Sequence, residues 1–334
     1  MEAIAGAGAP EEQRKRVLVT GASGFIASHL TRRLVREGHA DVAITTRYGN
    51  LIKNTRLADI WPSLHVIEAD LRNRGALAQI KAWQPHIVYH LAAYNHVGMS
   101  FVQVEECFDV NAKGTANLLD ICEESGIDKF VYVSTSEVYG PQEEIPFQEW
   151  MRPNPSSPYA VTKYAGELYC ALKQKMGMPI SIVRPFNCYG PSQSAKAVIP
   201  SLIFRMLSDQ AIPTTLGEQT REFNYVDDVV SGIIRAGEAK YTGPINLCSG
   251  TDVSIRALTE TLRAKTVTSS EIEYGAMPYR PNEIWVMRGS NKLAKELLGW
   301  APKISLDDGL ELTIKWAVDE LEGRHDYRPD ACTK

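Results

Sequence analysis

The sequence predicts an α/β fold, in which a doubly wound parallel sheet is followed by a smaller, irregular α/β lobe at the C-terminus. In the first half of the chain, short β-branched runs alternate with segments of helical periodicity, which is typical of a parallel sheet with helices on both faces. Beyond about residue 185 the alternation loosens, and Pro, Ser and Gly separate shorter segments. We expect the sheet domain at residues 14–185, with segments near 222–248 returning to it, and the lobe at residues 186–330.

The composition is that of an ordinary globular protein. Apolar residues make up 44% and charged residues 23% of the 334 positions, with a net charge of −4 and a predicted pI of about 6.0. There is no long basic run, so a nucleic-acid partner is not expected. There is also no apolar run of about 18 residues, so a membrane span is not expected.

The cysteines and the N-terminal residues indicate a cytoplasmic protein. The six cysteines form no Cys-x-x-Cys pair and have no histidine at metal-ligand spacing, which is typical of reduced thiols and predicts no metal site. Residues 1–13 lack the basic-then-apolar order of a signal peptide, and we expect them to be a disordered leader.

The first candidate site is a glycine-rich turn between a strand and a helix. An apolar run at residues 16–20 is followed by Gly21-Ala22-Ser23-Gly24-Phe25-Ile26-Ala27 and by an amphipathic segment over 28–37. Gly21 and Gly24 permit a tight turn that brings backbone N–H groups to a pyrophosphate at the helix N-terminus. This context predicts that residues 14–185 form a Rossmann-type dinucleotide-binding domain.

The end of the second predicted strand, at residues 42–46, bears on which dinucleotide binds. In NAD-binding folds an acidic residue about 20 positions past the glycine loop holds the ribose hydroxyls. This sequence has Thr46 and then Arg47, and a cation suits the 2′-phosphate of NADP better than two free hydroxyls. The expected cofactor is therefore NAD(P), with NADP favoured over NAD unless Arg47 points into solvent.

Two more strands are predicted at residues 65–70 and 85–93. Asp70 ends the first of them, where it can meet the adenine edge. The small residues Ala92 and Ala93 end the second and leave room for a cofactor. A long helix is expected over residues 103–124.

Polar side chains follow the next predicted strand. Thr135, Ser136 and Glu137 lie where that strand ends, at the carboxyl edge where doubly wound sheets bind their ligands. After a Pro-rich loop, Tyr159 and Lys163 lie four residues apart on one face of a predicted helix. A lysine ammonium beside a phenol lowers the tyrosine pKa from its usual value of about 10, which makes the tyrosine a general base.

Taken together, these motifs resemble the extended short-chain dehydrogenase/reductases, specifically the nucleotide-sugar epimerase/dehydratase group, over about residues 17–316. The glycine loop matches, with Ala27 where Gly is more usual. Tyr159 and Lys163 match the catalytic pair of the family, and Thr135 matches its strand-end hydroxyl.

The resemblance implies a bound nicotinamide cofactor, a nucleotide-diphosphate sugar as substrate and a homodimer formed through helices near 103–124 and 159–176. The implied catalytic residues are Thr135, Ser136, Glu137, Tyr159 and Lys163. The implied cofactor-binding residues, besides Tyr159 and Lys163, are Gly21, Ser23, Gly24, Phe25, Ile26, Arg47, Asp70, Leu71, Leu91, Ala92 and Ala93. The implied substrate-binding residues are Asn187, Val198, Arg221, Arg280 and Glu283.

Within the family, the triplet Thr135-Ser136-Glu137 narrows the reaction. It looks like the triplet of GDP-mannose 4,6-dehydratases and of nonulosonic-acid-pathway dehydratases, whereas dTDP-glucose-type dehydratases have Asp in the middle. UDP-glucuronate decarboxylases also carry Ser-Glu here, and many 4-epimerases lack the Glu. We therefore expect a nucleotide-sugar 4,6-dehydratase, with a decarboxylase or an epimerase acting through the same 4-keto intermediate as alternatives. A non-catalytic dinucleotide sensor, the remaining alternative, would not need Tyr159 as a base.

Overall fold

The computed structural model describes residues 14–38, 40–47, 55–279 and 283–324. The expected leader at residues 1–13 and the predicted substrate-binding residue Arg280 lie outside this described part of the chain.

The structure alternates strands and helices along the chain. The strands are β1 (Lys15–Thr20), β2 (Ala40–Thr46), β3 (His65–Glu68), β4 (Ile87–His90), β5 (Lys129–Val133), β6 (Ile180–Pro185), β7 (Asn187–Tyr189), β8 (Ile212–Thr214), β9 (Thr220–Arg221), β10 (Phe223–Tyr225), β11 (Gly243–Leu247), β12 (Val253–Ser254), β13 (Ile272–Tyr274) and β14 (Val286–Met287). The helices are α1 (Phe25–Glu37), α2 (Ala78–Trp83), α3 (Val97–Ser100), α4 (Val104–Phe108), α5 (Gly114–Ser125), α6 (Pro158–Lys175), α7 (Val198–Leu207), α8 (Val226–Glu238), α9 (Ile255–Thr266), α10 (Lys292–Leu298) and α11 (Leu306–Leu321).

Seven strands form one parallel sheet in the order β11-β6-β5-β4-β1-β2-β3. The chain starts in the middle at β1, moves outward to β3 and then crosses to β4 on the other side. The predicted doubly wound sheet is therefore confirmed. The reversal between β1 and β4 is the point where such sheets open a crevice for ligands.

Both faces of the sheet are covered, because successive residues of each strand point to opposite sides. In β1, Val17 and Val19 join a core with α1 and α8, whereas Leu18 joins a second core with α2, α5 and α6. The central strand β4 and its neighbour β5 are buried along their whole length. Burial on both faces explains why these strands read as continuous apolar runs.

The expected long helix over residues 103–124 is not regular. Helices α4 and α5 are joined by a π-helical turn at Asp109–Lys113. At its centre, the Asn111 side chain accepts from the Tyr94 N–H at 2.7 Å and donates to the Tyr94 carbonyl at 3.0 Å. A π-helical turn adds one residue to the helix and leaves the apolar periodicity before and after it unchanged. The periodicity of the sequence therefore does not predict the turn.

The C-terminal lobe is built from small sheets: β10 beside β7, β13 beside β8, and β9 between β12 and β14. A separate apolar cluster beneath the end of β5 connects this lobe to the main sheet, and its buried members are Val138, Tyr139, Phe147, Met151, Phe186, Cys248, Ile284 and Met287. Within the described residues, no helix combines the length and the apolar character needed to cross a bilayer.

Candidate active site

The glycine loop is held tightly against the end of β4. Gly21 has φ +71°, and a Cβ at this position would lie 2.7 Å from the backbone of Ala92, so only glycine fits. The Gly24 N–H donates to the Gly21 carbonyl at 2.8 Å, which closes the turn. The loop therefore delivers the chain into α1 directly at the crevice between β1 and β4.

The N-terminus of α1 is free to receive an anion. Gly24 is its N-cap and supplies no side-chain hydrogen bond, and the first turn carries no acidic residue. The first N–H groups of a helix have no intrahelical partner and carry a partial positive charge. The predicted residues Ser23, Phe25 and Ile26 lie at this turn, and their placement fits a pyrophosphate.

Arg56 links the glycine loop to the substrate side of the crevice, and the sequence did not single it out. Its guanidinium donates to the Ser23 carbonyl and to the Ser192 carbonyl, each at 3.0 Å. Ser192 follows β7 in the segment that also contains the predicted substrate residue Asn187. Arg56 belongs to no sequence motif, so its contacts with the two carbonyls could not be predicted from the sequence.

The adenosine side of the crevice is lined by charged residues after β2 and β3. Asp70 accepts hydrogen bonds from the Arg72 side chain and backbone, and these lower the pKa of the Asp70 carboxyl. Arg47 is exposed, with its guanidinium 3.8 Å from Glu106, which is also paired with Arg72 at 2.7 Å. Leu71 is buried under this edge.

His90 belongs to a buried hydrogen-bond chain that fixes the ends of β1 and β4. Its Nδ1 lies 2.7 Å from the Thr20 hydroxyl and its Nε2 lies 2.9 Å from the Thr115 hydroxyl. Burial lowers the pKa of His90 well below its ordinary value, so the ring is neutral. The Ala92 N–H donates to the same Thr20 hydroxyl at 3.2 Å, and the predicted residues Leu91, Ala92 and Ala93 follow as half-buried positions at the mouth of the crevice.

The catalytic turn, defined as residues 135–139, comes directly after β5. Thr135 precedes a 3₁₀ helix at Ser136–Tyr139, and its hydroxyl accepts from the Glu137 N–H at 3.2 Å. The Thr135 side chain acts to lower the pKa of the Tyr159 phenol, and the negative charge of Glu137 acts to raise it. The fold therefore brings three of the predicted catalytic residues together.

Tyr159 and Lys163 are placed by the start of α6. Ser157 caps this helix by accepting from the Ala160 N–H at 3.1 Å, and Pro158 occupies its first position. Tyr159 is then half-buried, whereas Lys163 is fully buried with its Nζ 4.3 Å from the centroid of the Tyr132 ring.

The pKa of Tyr159 is raised in this structure, contrary to the expectation that Lys163 lowers it. Burial is the largest cause, and the hydrogen bond from Thr135 acts in the opposite direction but does not outweigh it. Burial also lowers the pKa of Lys163 to about 8. Desolvation of both groups therefore outweighs the electrostatic benefit that the four-residue spacing suggests.

Ser136 and Met287 form a contact that the sequence does not reveal. Ser136 is buried, and its hydroxyl donates to the Met287 sulfur at 3.5 Å. Met287 lies about 150 positions further along the chain and is completely buried. From sequence, a methionine in an apolar segment is expected to be an ordinary core residue. Only the folded structure shows that Met287 contacts the catalytic turn.

The predicted substrate residues Arg221 and Glu283 form an ion pair. Arg221 also donates to the Ile284 carbonyl at 2.6 Å and to the Thr220 carbonyl at 2.7 Å. Asn187 begins β7, where its register partner is Phe223, two residues after Arg221.

Val198 and Arg184 are the remaining positions of interest in the substrate segment. Val198 is the exposed first residue of α7. Arg184 forms a buried bidentate ion pair with Glu167, at 3.0 and 2.6 Å, and donates to the Tyr139 hydroxyl at 2.9 Å. It therefore ties α6 and the catalytic turn to β6. Within the described residues, no group of His, Cys, Asp and Glu side chains is arranged to hold a metal ion.

The carboxyl edge of one doubly wound sheet thus carries the glycine loop with the N-terminus of α1, the turn after β5 with Glu137, and the start of α6 with Tyr159 and Lys163. A glycine loop at this edge is typical of dinucleotide-binding enzymes.

Comparison with known proteins identifies the family. The sequence profile of the NAD-dependent epimerase/dehydratase family matches residues 17–248, and the chain belongs to that family. It is 32% identical over 325 residues to dTDP-D-glucose 4,6-dehydratase from Mus musculus, covering 92% of this chain and 90% of the relative. It is 31% identical over 325 residues to UDP-N-acetyl-alpha-D-glucosaminuronate decarboxylase from Bacillus cytotoxicus, covering 91% and 98%.

A solved structure shows the same similarity in three dimensions. The UDP-glucose 4-epimerase from Thermotoga maritima, determined with UDP-glucose, superimposes with a TM-score of 0.86 at 29% identity and covers 92% of this chain and 99% of its own. A dehydratase, a decarboxylase and an epimerase are thus similar to this chain at nearly equal identity, so the family is established and the reaction is not distinguished by overall similarity.

Proposed function

We propose that this protein is a nucleotide-sugar 4,6-dehydratase, which converts an NDP-hexose to an NDP-4-keto-6-deoxyhexose and water. The observation that carries this proposal is the position of Glu137. Glu137 lies in the 3₁₀ turn that follows β5, two residues after Thr135, and its charge acts to raise the pKa of the Tyr159 phenol, whereas Thr135 acts to lower it. One sugar ring can therefore meet a base at its 4-hydroxyl and a second base at carbon 5.

The first step is the oxidation of carbon 4. A bound nicotinamide cofactor supplies the two-electron oxidation of the sugar and the later reduction that makes the reaction redox-neutral. Tyr159 removes the proton of the 4-hydroxyl, and Thr135 donates a hydrogen bond that orients this hydroxyl. Lys163, one helical turn after Tyr159 on α6, would stabilise the phenolate through its positive charge.

The second step is the loss of water. Once carbon 4 is a ketone, the hydrogen on carbon 5 becomes acidic, and Glu137 takes it. Glu137 is then a protonated acid that donates to the hydroxyl leaving carbon 6. Ser136 was expected to share this proton relay, and its hydroxyl donates to Met287 in the resting structure. A hydroxyl both donates and accepts, so Ser136 can join the relay only after it leaves Met287.

The substrate class is a nucleotide-diphosphate sugar. Arg221 is the residue proposed to hold the diphosphate, because a guanidinium binds phosphate oxygens through two parallel hydrogen bonds. Its present partner Glu283 would turn to the nucleoside, and Asn187 lies on β7, which pairs with β10 two residues after Arg221. The similar enzyme from Thermotoga maritima was solved with UDP-glucose, which supports this class.

Cofactor preference is a separate proposal within the NAD-dependent family. We propose that NADP binds more tightly than NAD, because Arg47 directly follows β2 as an exposed cation. Its 3.8 Å contact with Glu106 is a surface ion pair, which costs little to replace by a phosphate.

The alternative is a decarboxylase or an epimerase acting on a UDP-hexuronic acid through the same 4-keto intermediate. The relatives named above support each chemistry equally. Incubation with a panel of sugar nucleotides, followed by chromatography and mass spectrometry, separates them: the product lacks one water, lacks carbon dioxide, or keeps its mass but elutes apart from the substrate. Loss of water supports the dehydratase, and either of the other results replaces it. No turnover of any sugar nucleotide would favour the non-catalytic sensor.

We also propose a homodimer. Helix α6 carries exposed apolar side chains at Val161, Leu168 and Leu172, a spacing that places them on one side of the helix. The neighbouring α3 and α4 region exposes Phe101 and Val102. A contiguous exposed apolar surface of this kind is typical of a protein–protein interface, and a second copy covers it with a matching surface.

A further inference from the structure

Met287 joins the catalytic turn to the strand that carries Arg221. Its sulfur accepts the Ser136 hydroxyl at 3.5 Å, and its side chain is completely buried. In the small sheet of the C-terminal lobe, Met287 on β14 is the direct register partner of Arg221 on β9. Register partners in adjacent parallel strands point to the same face, so Met287 and Arg221 lie side by side.

The segment around Met287 is anchored to the Arg221 strand at both ends. Upstream, the Arg221 guanidinium pairs with Glu283 and donates to the Ile284 carbonyl at 2.6 Å. Downstream, the Gly289 N–H donates to the Glu222 carboxylate at 2.9 Å. A displacement of Arg221 toward a diphosphate therefore acts on the same short segment that holds Ser136.

The hydrogen bond between the Ser136 hydroxyl and the Met287 sulfur is weak enough to be broken and re-formed. A thioether is a weak hydrogen-bond acceptor, so the Ser136 hydroxyl is held in one orientation without a large cost for release. Ser136 is the first residue of the 3₁₀ helix that also carries Glu137. The position of Ser136 therefore sets where the Glu137 carboxylate stands relative to Tyr159.

We infer that Met287 is a positioning residue for the catalytic turn, acting through Ser136. This inference rests on the proposed nucleotide-sugar chemistry. Met287 does not touch the reacting atoms, so its loss should slow the chemical step without weakening substrate binding.

The test is a double-mutant cycle between Met287→Leu and Ser136→Ala, with kcat and KM measured on the sugar nucleotide that the wild type turns over. Leucine keeps the volume and removes the sulfur acceptor. We expect Met287→Leu to lower kcat by about tenfold with KM changed by less than about twofold, and the double variant to be no slower than Ser136→Ala alone. Met287→Ile serves as a second apolar variant with the same expectation, should the leucine variant fail to fold.

Met151→Leu is the matched control. Met151 is buried in the same cluster, and its sulfur accepts the Gln148 N–H at 3.4 Å, in the loop beyond the catalytic turn. This variant should keep the wild-type kcat. Independent, multiplying effects of Met287→Leu and Ser136→Ala on kcat, or an equal loss in Met151→Leu, would overturn the inference and show that Met287 only fills the core. A wild type that turns over no sugar nucleotide would instead refute the proposed function.

Discussion

Thr135, in the turn after β5, acts on the phenol of Tyr159, in the first turn of α6, by lowering its pKa. Burial is the larger cause and raises the pKa of the same phenol, so the resting tyrosine is protonated. If Tyr159 is the proposed base, its ionisation must therefore be favoured by the bound substrate and cofactor, because the resting site does not ionise the phenol.

Replacing Tyr159 by Phe should abolish turnover and leave the fold intact. The change removes only the hydroxyl, and loss of a general base typically lowers the rate by about 10²–10⁴-fold. Steady-state kinetics and a cofactor titration on the same sample measure the two effects separately. Tyr164→Phe, which removes a hydroxyl from a half-buried tyrosine of the same helix, should keep wild-type activity. Appreciable activity of Tyr159→Phe would remove this residue from the mechanism.

Much of the fold and part of the candidate site can be predicted from the sequence, because the residues that specify them are close together in the chain. The glycine loop, the strand-end residue Thr135 and the spacing of Tyr159 and Lys163 are encoded within a few residues, and the parallel sheet follows from their alternation. The contact between Ser136 and Met287 and the π-helical turn at Asp109–Lys113 depend on tertiary packing. The hydrophobic periodicity of the sequence does not predict such contacts between distant residues.

The direction of the pKa shift of Tyr159 also depends on tertiary packing and could not be predicted from the local sequence. The spacing to Lys163 correctly places both residues on one helix, yet the direction of the pKa shift depends on how much water each group loses. That loss is set by the surrounding helices and the end of β5, which the local sequence does not contain. The expectation of a lowered pKa for Tyr159 was therefore wrong for the resting structure, and the roles of Tyr159 and Lys163 stay predictions.

Arg47→Ala should weaken NADP binding and spare NAD. Losing a charge-assisted contact to the 2′-phosphate costs about 1.5–3 kcal/mol, which corresponds to roughly ten- to hundredfold in affinity. Calorimetric titration of apo protein with each cofactor measures the preference. Arg33→Ala, which removes an exposed arginine paired with Glu37 on α1, is the control and should leave both affinities unchanged. Equal affinities of the wild type for NAD and NADP, or a preference for NAD, would show that Arg47 contacts no phosphate.

Leu168→Glu should convert the proposed dimer to a monomer. The side chain is 55% exposed in the single chain, and covering a carboxylate by a second copy would cost at least about 2 kcal/mol, a factor of about thirty in the dissociation constant. Analytical ultracentrifugation over a concentration series measures this constant. Leu321→Glu is the control, since Leu321 on α11 is 52% exposed and lies outside the proposed interface. A wild type that sediments as a monomer contradicts the proposal directly.

Asp120 should make stability depend on pH in the acid range. Burial acts to raise the pKa of its carboxyl, but hydrogen bonds from Lys173, Tyr169 and Arg74 outweigh it, so the folded pKa lies below the ordinary 3.8. A lowered carboxyl pKa contributes stability that is fully present above about pH 4 and is lost as the pH falls through the folded value.

The variant Asp120→Asn should therefore be less stable than the wild type by about 1 kcal/mol at pH 7, and the difference should shrink below about pH 4. Urea denaturation at several pH values measures the free energy of unfolding. The control Asp128→Asn breaks a 3.8 Å ion pair with Lys15 in which both side chains are 59% exposed, so its cost at pH 7 should be smaller. A difference that stays constant down to pH 3 contradicts the assigned pKa shift.

Glu137→Gln tests which reaction the site performs. The amide keeps the shape of the side chain and removes the base that takes the carbon 5 proton, so dehydration should slow by about 10²–10⁴-fold. Oxidation of carbon 4 depends on Tyr159 and Thr135, which the change leaves in place. Reduced cofactor should therefore accumulate on the variant, visible as nicotinamide absorbance, while mass spectrometry detects no loss of water.

The control for this variant is Glu144→Gln, which alters an exposed carboxylate in the loop that follows the catalytic turn and should leave turnover unchanged. Dehydration by Glu137→Gln at a near wild-type rate would show that the carboxylate takes no part in the elimination, leaving it only a structural role at the rim of the pocket. Release of carbon dioxide from a hexuronic acid by the wild type would instead establish the decarboxylase. The position of Glu137 beside Tyr159 suits a base at carbon 5, and the accumulation of reduced cofactor in its amide variant distinguishes that role from a structural one.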